Sequence, residues 1–80
     1  MTREEVFERL NEVFRDVFYD ETIKVKDTTT ADDIEDWDSL EHINLVVAVE
    51  KCFGIKFTMG EVTGMKNVGA MADIILERTK

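Results

Sequence analysis

Residues 38–54 read Asp38-Ser39-Leu40-Glu41-His42-Ile43-Asn44-Leu45-Val46-Val47-Ala48-Val49-Glu50-Lys51-Cys52-Phe53-Gly54. Leu45, Val49 and Phe53 recur at i, i+4 and i+8, which puts them on one helical face. Leu40, Ile43 and Val47 recur at i, i+3 and i+7 and make a second face. Asp38 or Ser39 suits the N-cap, because either side chain offers an oxygen to a free N–H of the first turn. Gly54 stands where a left-handed residue ends a helix. The stretch therefore predicts a helix closing at about Phe53. It carries more apolar surface than one face of a small fold can bury. Val46 and Ala48 lie around the two faces, and Val46 suits a buried or an exposed place equally well. Leu40, Ile43 and Val47 are expected to form a partly exposed strip of the kind that marks a binding surface.

Upstream, Thr2 and Glu5 have the spacing of a capping box. Val6, Leu10, Val13, Phe14 and Val17 then share a helical face, widened by Phe7 and Phe18, so a helix over 3–18 is expected. Residues 19–38 hold no sustained period, and a structureless loop of about twenty residues must be pinned by something. Ile23 and Val25, alternating with lysines, are candidates to dip into the core. Thr30-Ala31-Asp32-Asp33 suits a capped turn that carries Ile34 inward, and Trp37 is the last anchor. Downstream, Thr58-Met59-Gly60-Glu61 is another capping box, opening a short helix weakened by Gly60 and Gly64. Asn67 caps a final helix with Val68, Met71, Ala72, Ile75 and Leu76 in an i, i+3, i+4, i+7, i+8 stripe. No proline interrupts these segments. The expectation is all-α: a small four-helix bundle with a long loop between the first and second helices and a short third helix, residues 1–80 forming one domain.

The 80 residues carry 18 acids, 10 basic residues and a net charge of −8. Such a balance disfavours nucleic acid or an anionic membrane as partner, since both need a basic face. It favours proteins with basic patches. The charge is concentrated. Residues 27–41 hold seven of the acids and no Lys or Arg, leaving 11 acids against 10 bases elsewhere. No apolar run approaches the roughly 18 residues of a membrane span, and Met1-Thr2-Arg3-Glu4-Glu5 lacks a signal-peptide core, so the expectation is a cytoplasmic monomer. One cysteine, Cys52, excludes an internal disulfide, and with one histidine, His42, it leaves no Cys/His metal set. Cys52 is expected to pack as a small apolar residue.

The acids also fail as a Ca²⁺ loop. A register begun at Asp32 places Ile34 at the third position. One begun at Asp36 places Glu41 where Gly is required and Val47 where the bidentate Glu belongs. A metal site is not expected. Ser39 alone reads as a cap worth roughly 1 kcal/mol. A modified Ser39 would instead set a phosphate ester against free backbone N–H groups and the positive helix end. His42 lies three residues on, yet no G-x-S-x-G elbow or oxyanion array accompanies the pair, so it reads as a packing residue and the chain as a non-enzyme. On residues alone, an unmodified acidic helical adaptor for a basic partner groove stands as the alternative.

Asp38-Ser39-Leu40 after an acidic loop, followed by Leu45, Val46, Glu50 and Phe53, resembles the acyl carrier protein family over nearly the whole chain. The resemblance implies 4′-phosphopantetheine on Ser39, flanked by Asp38 and Leu40 and installed from coenzyme A by a phosphopantetheinyl transferase. It implies an acyl or aminoacyl thioester on the arm, presented to loading, condensing or transferring enzymes with basic docking patches. It places Glu41, Glu50, Ile43 and Val47 in partner contacts, together with Asp36 and Trp37 at the end of the loop. Asp36 stands where the family often has Gly, Trp37 where a small residue is usual, and Asn44 and Lys51 where acids are typical. The Trp-Asp-Ser-Leu-x-His form looks like a freestanding carrier of a specialised pathway: polyketide-like, peptide-like or saccharide-modifying.

Overall fold

Thr2 opens the first helix through a reciprocal cap: its Oγ1 accepts from the Glu5 N–H at 3.2 Å, and Glu5 Oε1 accepts from the Thr2 N–H at 3.1 Å. The computed structural model describes residues 1–79. Within them the helices are α1 (Arg3–Phe18), α2 (Ser39–Phe53), α3 (Met59–Gly64) and α4 (Val68–Arg78), with one 3₁₀ turn over Ala31–Asp33. No strand occurs among the described residues, as the sequence pattern implies. α1 packs against both α2 and α4.

The core takes Val6, Leu10, Val13, Phe14 and Phe18 from α1, Leu45 and Val49 from α2, and Val68, Met71, Ala72 and Ile75 from α4. One assignment within α1 changes. Phe18 is buried and Val17 only half-buried, because the Phe18 ring lies 5.9 Å from that of Phe14, one turn back. The helix ends at Tyr19 in a left-handed conformation, φ 52°, with its N–H donating to the Arg15 carbonyl. A side chain is costly there and this one is almost fully exposed. Cys52 is exposed rather than packed. It lies one residue, about 100° of rotation, off the Leu45–Val49–Phe53 seam.

The long loop is pinned largely by polar side chains that periodicity assigns to solvent. Asn11 Oδ1 accepts from the Val25 N–H at 2.7 Å, and Arg15 Nε donates to the Ile23 carbonyl at 2.8 Å. Val25 is thereby held in the core and Ile23 packed on it. Farther on, the Val68 and Gly69 N–H groups donate to the carbonyls of Thr29 and Asp27 at 2.8 and 3.0 Å. Arg3 ties Asp27 to Asp73 of α4. The 3₁₀ turn forms through the expected Thr30–Asp33 cap, and Ile34 packs on the core. α3 contributes no fully buried residue. Its own capping box holds it, together with Arg78 of α4, whose two terminal nitrogens donate to Glu61 at 2.7 and 2.6 Å.

Candidate functional site

Asp38 takes the cap of α2. Its Oδ1 accepts from the Glu41 N–H at 2.9 Å and its carbonyl from the His42 N–H at 2.8 Å. Ser39 is therefore the first helical residue, not the cap. Its side chain is exposed, and among the described residues no hydrogen bond engages its hydroxyl. A helix leaves its first N–H groups without intrahelical partners, and those of Ser39 and Leu40 remain so here.

The predicted apolar strip is on the surface: Leu40, Ile43 and Val47 are 68%, 57% and 44% exposed, while Val49 on the opposite face is fully buried. Val46 turns out buried. Between α2 and α3 runs an open cleft of about 790 Å³ that begins at Asp38 and Ser39 and continues along Val46, Val47, Phe57, Val62 and Met65. Met59, 81% exposed, extends the apolar rim from the α3 side. A smaller recess of about 380 Å³ lies across Asp38, bounded by Asp36, Glu35, Glu41 and the end of α1.

Two of the expected partner residues are partly committed inside the molecule. Glu50 is half-buried, and its Oε2 accepts from the Phe57 N–H at 2.8 Å, fixing the segment that leads into α3. Trp37 is half-buried, its ring set edge-on to Phe14 at 5.3 Å and beside Phe18 at 6.3 Å. Both still line the cleft. Glu41 accepts from Asn44 Nδ2 at 3.2 Å, and Asp36 is exposed.

His42 does more than pack. Its Nδ1 accepts from Trp37 Nε1–H at 3.1 Å, which leaves the proton on Nε2, 3.0 Å from the Val62 carbonyl. The two rings stack at 5.8 Å. With both nitrogens committed away from Ser39, the imidazole is no base for that hydroxyl. The arrangement escapes a sequence reading because Trp37 and Val62 lie outside the helix whose period His42 obeys. Below α3, Arg78 and then the Thr58 N–H hold the Glu61 carboxyl well under the usual carboxylate range, at about 2.

The geometry is that of an exposed serine at the positive end of a helix, beside an apolar cleft. A family model described as a phosphopantetheine attachment site matches residues 8–75. The chain belongs to the acyl carrier protein family. It is 33% identical to the acyl carrier protein of Acidothermus cellulolyticus over 79 residues, 99% of this chain and 94% of that one. The acyl carrier protein of Petrotoga mobilis is also 33% identical, with 98% and 92% covered. The solution structure of a holo acyl carrier protein from Geobacter metallireducens superposes with a TM-score of 0.85 at 43% identity, covering 90% of this chain and 83% of that one.

Covalent 4′-phosphopantetheine is thus the prosthetic group of this carrier. The start of α2 suits it. The unengaged hydroxyl is accessible, the free N–H groups of Ser39 and Leu40 and the helix dipole favour a phosphodiester, and the cleft offers apolar walls nearby. The carboxylates of Asp38 and Glu41 oppose that anion. Their attachment to the Glu41 N–H and to Asn44 blunts the opposition.

Proposed function

We propose that Ser39 is the attachment residue and that the chain works as one carrier domain, presenting acyl or aminoacyl cargo to biosynthetic enzymes. The arm supplies a terminal thiol that holds the cargo as a thioester. The chain's own residues do the rest. Asp38 caps the helix and so frees the Ser39 hydroxyl. Leu40, Ile43 and Val47 offer an apolar contact to the transferase and to the loading, condensing or transferring enzymes. Asp36, Glu41 and the outer edges of Trp37 and Glu50 add negative charge and shape for basic docking patches.

The observation that carries this reading is the division of labour at the helix start: the cap falls to Asp38, and the adjacent serine is exposed and without a partner. A serine needed for folding would be engaged. Trp37, Asn44 and Lys51, where small or acidic residues are usual in fatty-acid carriers, support service in a specialised pathway.

Intact-mass measurement after coexpression with a phosphopantetheinyl transferase tests the assignment. The unaltered chain should gain one phosphopantetheinyl group. Ser39→Ala should gain none and keep its stability within about 0.5 kcal/mol, as a surface change does. Full modification of the alanine variant would overturn the assignment. No gain on the unaltered chain would favour the unmodified adaptor.

A further inference from the structure

We propose that His42 is a proton-sensitive latch, which in its neutral form pins α3 against α2 beside Ser39 and on protonation lets α3 swing out and open the cleft. α3 is six residues long, two of them glycine, with no fully buried side chain. Specific polar tethers replace a core contact. One runs to α4 through Glu61 and Arg78. One fixes the entry to α3, where the Glu50 carboxylate takes the Phe57 N–H. The third is His42 Nε2 on the Val62 carbonyl. Of these, the last alone rests on a side chain of the type that changes charge between pH 5 and 8.

The geometry demands the neutral ring. Nδ1 must accept from Trp37 while Nε2 donates to Val62. A second proton would sit on Nδ1, facing the indole N–H, and two donors would then meet with no acceptor between them. Trp37 cannot turn away, being wedged against Phe14 and Phe18. The imidazolium must turn instead, and because both nitrogens belong to one rigid ring, the Val62 contact breaks with the Trp37 contact. The surroundings accept the charged ring once it has turned. The cleft is lined by the carboxylates of Asp38 and Glu50 against the single ammonium of Lys66. Glu61, beside Val62, is occupied by Arg78, and from α1 the rings of Phe14 and Phe18 pack against Trp37. The functional meaning, acid-promoted opening of the cleft beside the attachment site, rests on the assignment of Ser39. The latch does not.

The chain has one histidine and one tryptophan, so both ends of the latch can be read without ambiguity. As the pH of the unmodified chain is lowered from 8 to 5, the His42 ring proton shifts, the Trp37 emission and the amide protection factors of Val62 and Thr63 should change together. α3 protection should fall about threefold to tenfold, the worth of one hydrogen bond, while α1 core amides hold. His42→Gln keeps a neutral donor and acceptor and should abolish the response. The proposal is overturned if α3 protection or Trp37 emission stays level while the ring titrates, or if the same response persists in His42→Gln. Should that variant fail to fold, co-titration in the unaltered chain decides. The mass assay at Ser39 is independent of all these readouts, so the two readings can fail separately.

Discussion

At Gly69 the long loop meets α4 at backbone distance. A Cβ there would lie 2.7 Å from the Asp27 carbonyl oxygen, a contact that backbone cannot relieve cheaply. Two effects of Gly69→Ala compete. Alanine is the better helix former by about 1 kcal/mol. Overpacking a tight contact costs about 1–3 kcal/mol, and here it would also strain the hydrogen bond from the Gly69 N–H to Asp27. The clash should win, so a thermal melt should show net destabilisation of about 1 kcal/mol. A stabilised variant would mean that the loop yields freely. Nothing in the sequence announces this residue, since a glycine in a helical stripe reads as a mere weakness. Asn11, Arg15 and Arg3 are equally silent. Each sits on a helix as a polar residue of the solvated face, and its loop partner is named only by the chain's path through space. Ser39 stands out as the proposed attachment residue because its neighbours form a recognisable run. Which of Asp38 and Ser39 caps the helix was not, since both side chains suit the position.

At the scale of helices, stripes and caps were readable because a helix must match its period to whatever covers it. The two faces of α2 follow directly, and they set a controlled pair of variants. Val47 is 44% exposed on the cleft side, and Val49 is fully buried in the core. Val47→Asp should change stability by no more than about 0.5 kcal/mol, yet slow transfer of the prosthetic group, because the new charge must be desolvated at the enzyme contact. Val49→Asp should unfold the chain, since an unpaired buried carboxylate costs several kcal/mol against a small total stability. Circular-dichroism melts with a loading assay decide. The reverse pattern would mean that the faces are exchanged. α3 was legible through its capping box alone, and its attachment to the rest was not. That attachment has an acid signature. Arg78, and after it the Thr58 N–H, lowers the Glu61 carboxyl from 4.5 to about 2 in the folded chain. The contribution is complete above the unfolded value and is lost as pH falls from about 4.5 through about 2. The Glu61 side-chain carbon shift should therefore titrate near the lower value, and Arg78→Gln should return it toward 4.5.

Over the whole molecule the uneven charge is the dominant long-range force. Of the seven acids in residues 27–41, Asp27 has an ion-pair partner, Arg3, and among the described residues no cation lies within salt-bridge distance of the other six. Asp33 and Asp38 spend an oxygen each on backbone N–H groups, which orients them without neutralising them. Folding gathers this charge into less space than the open chain occupies, so self-repulsion weighs more heavily on the native state. Raising the salt from about 0.01 to 0.15 M shortens the screening length from about 30 to 8 Å. A relief of about 1 kcal/mol would raise the melting temperature by about 4–8 °C in a fold of this size. Magnesium at equal ionic strength should do more than sodium, since a divalent ion accumulates more strongly near clustered carboxylates. A nonspecific ionic effect on the solvent could imitate the rise, and charge removal separates the two. Glu35→Gln with Asp36→Asn deletes two exposed carboxylates that no salt bridge holds. That variant should melt higher than the unaltered chain at low salt and gain less from added salt, the two curves converging as screening becomes complete. Parallel curves would show that the repulsion lies elsewhere, and a melting temperature indifferent to salt would show that the acids are already compensated.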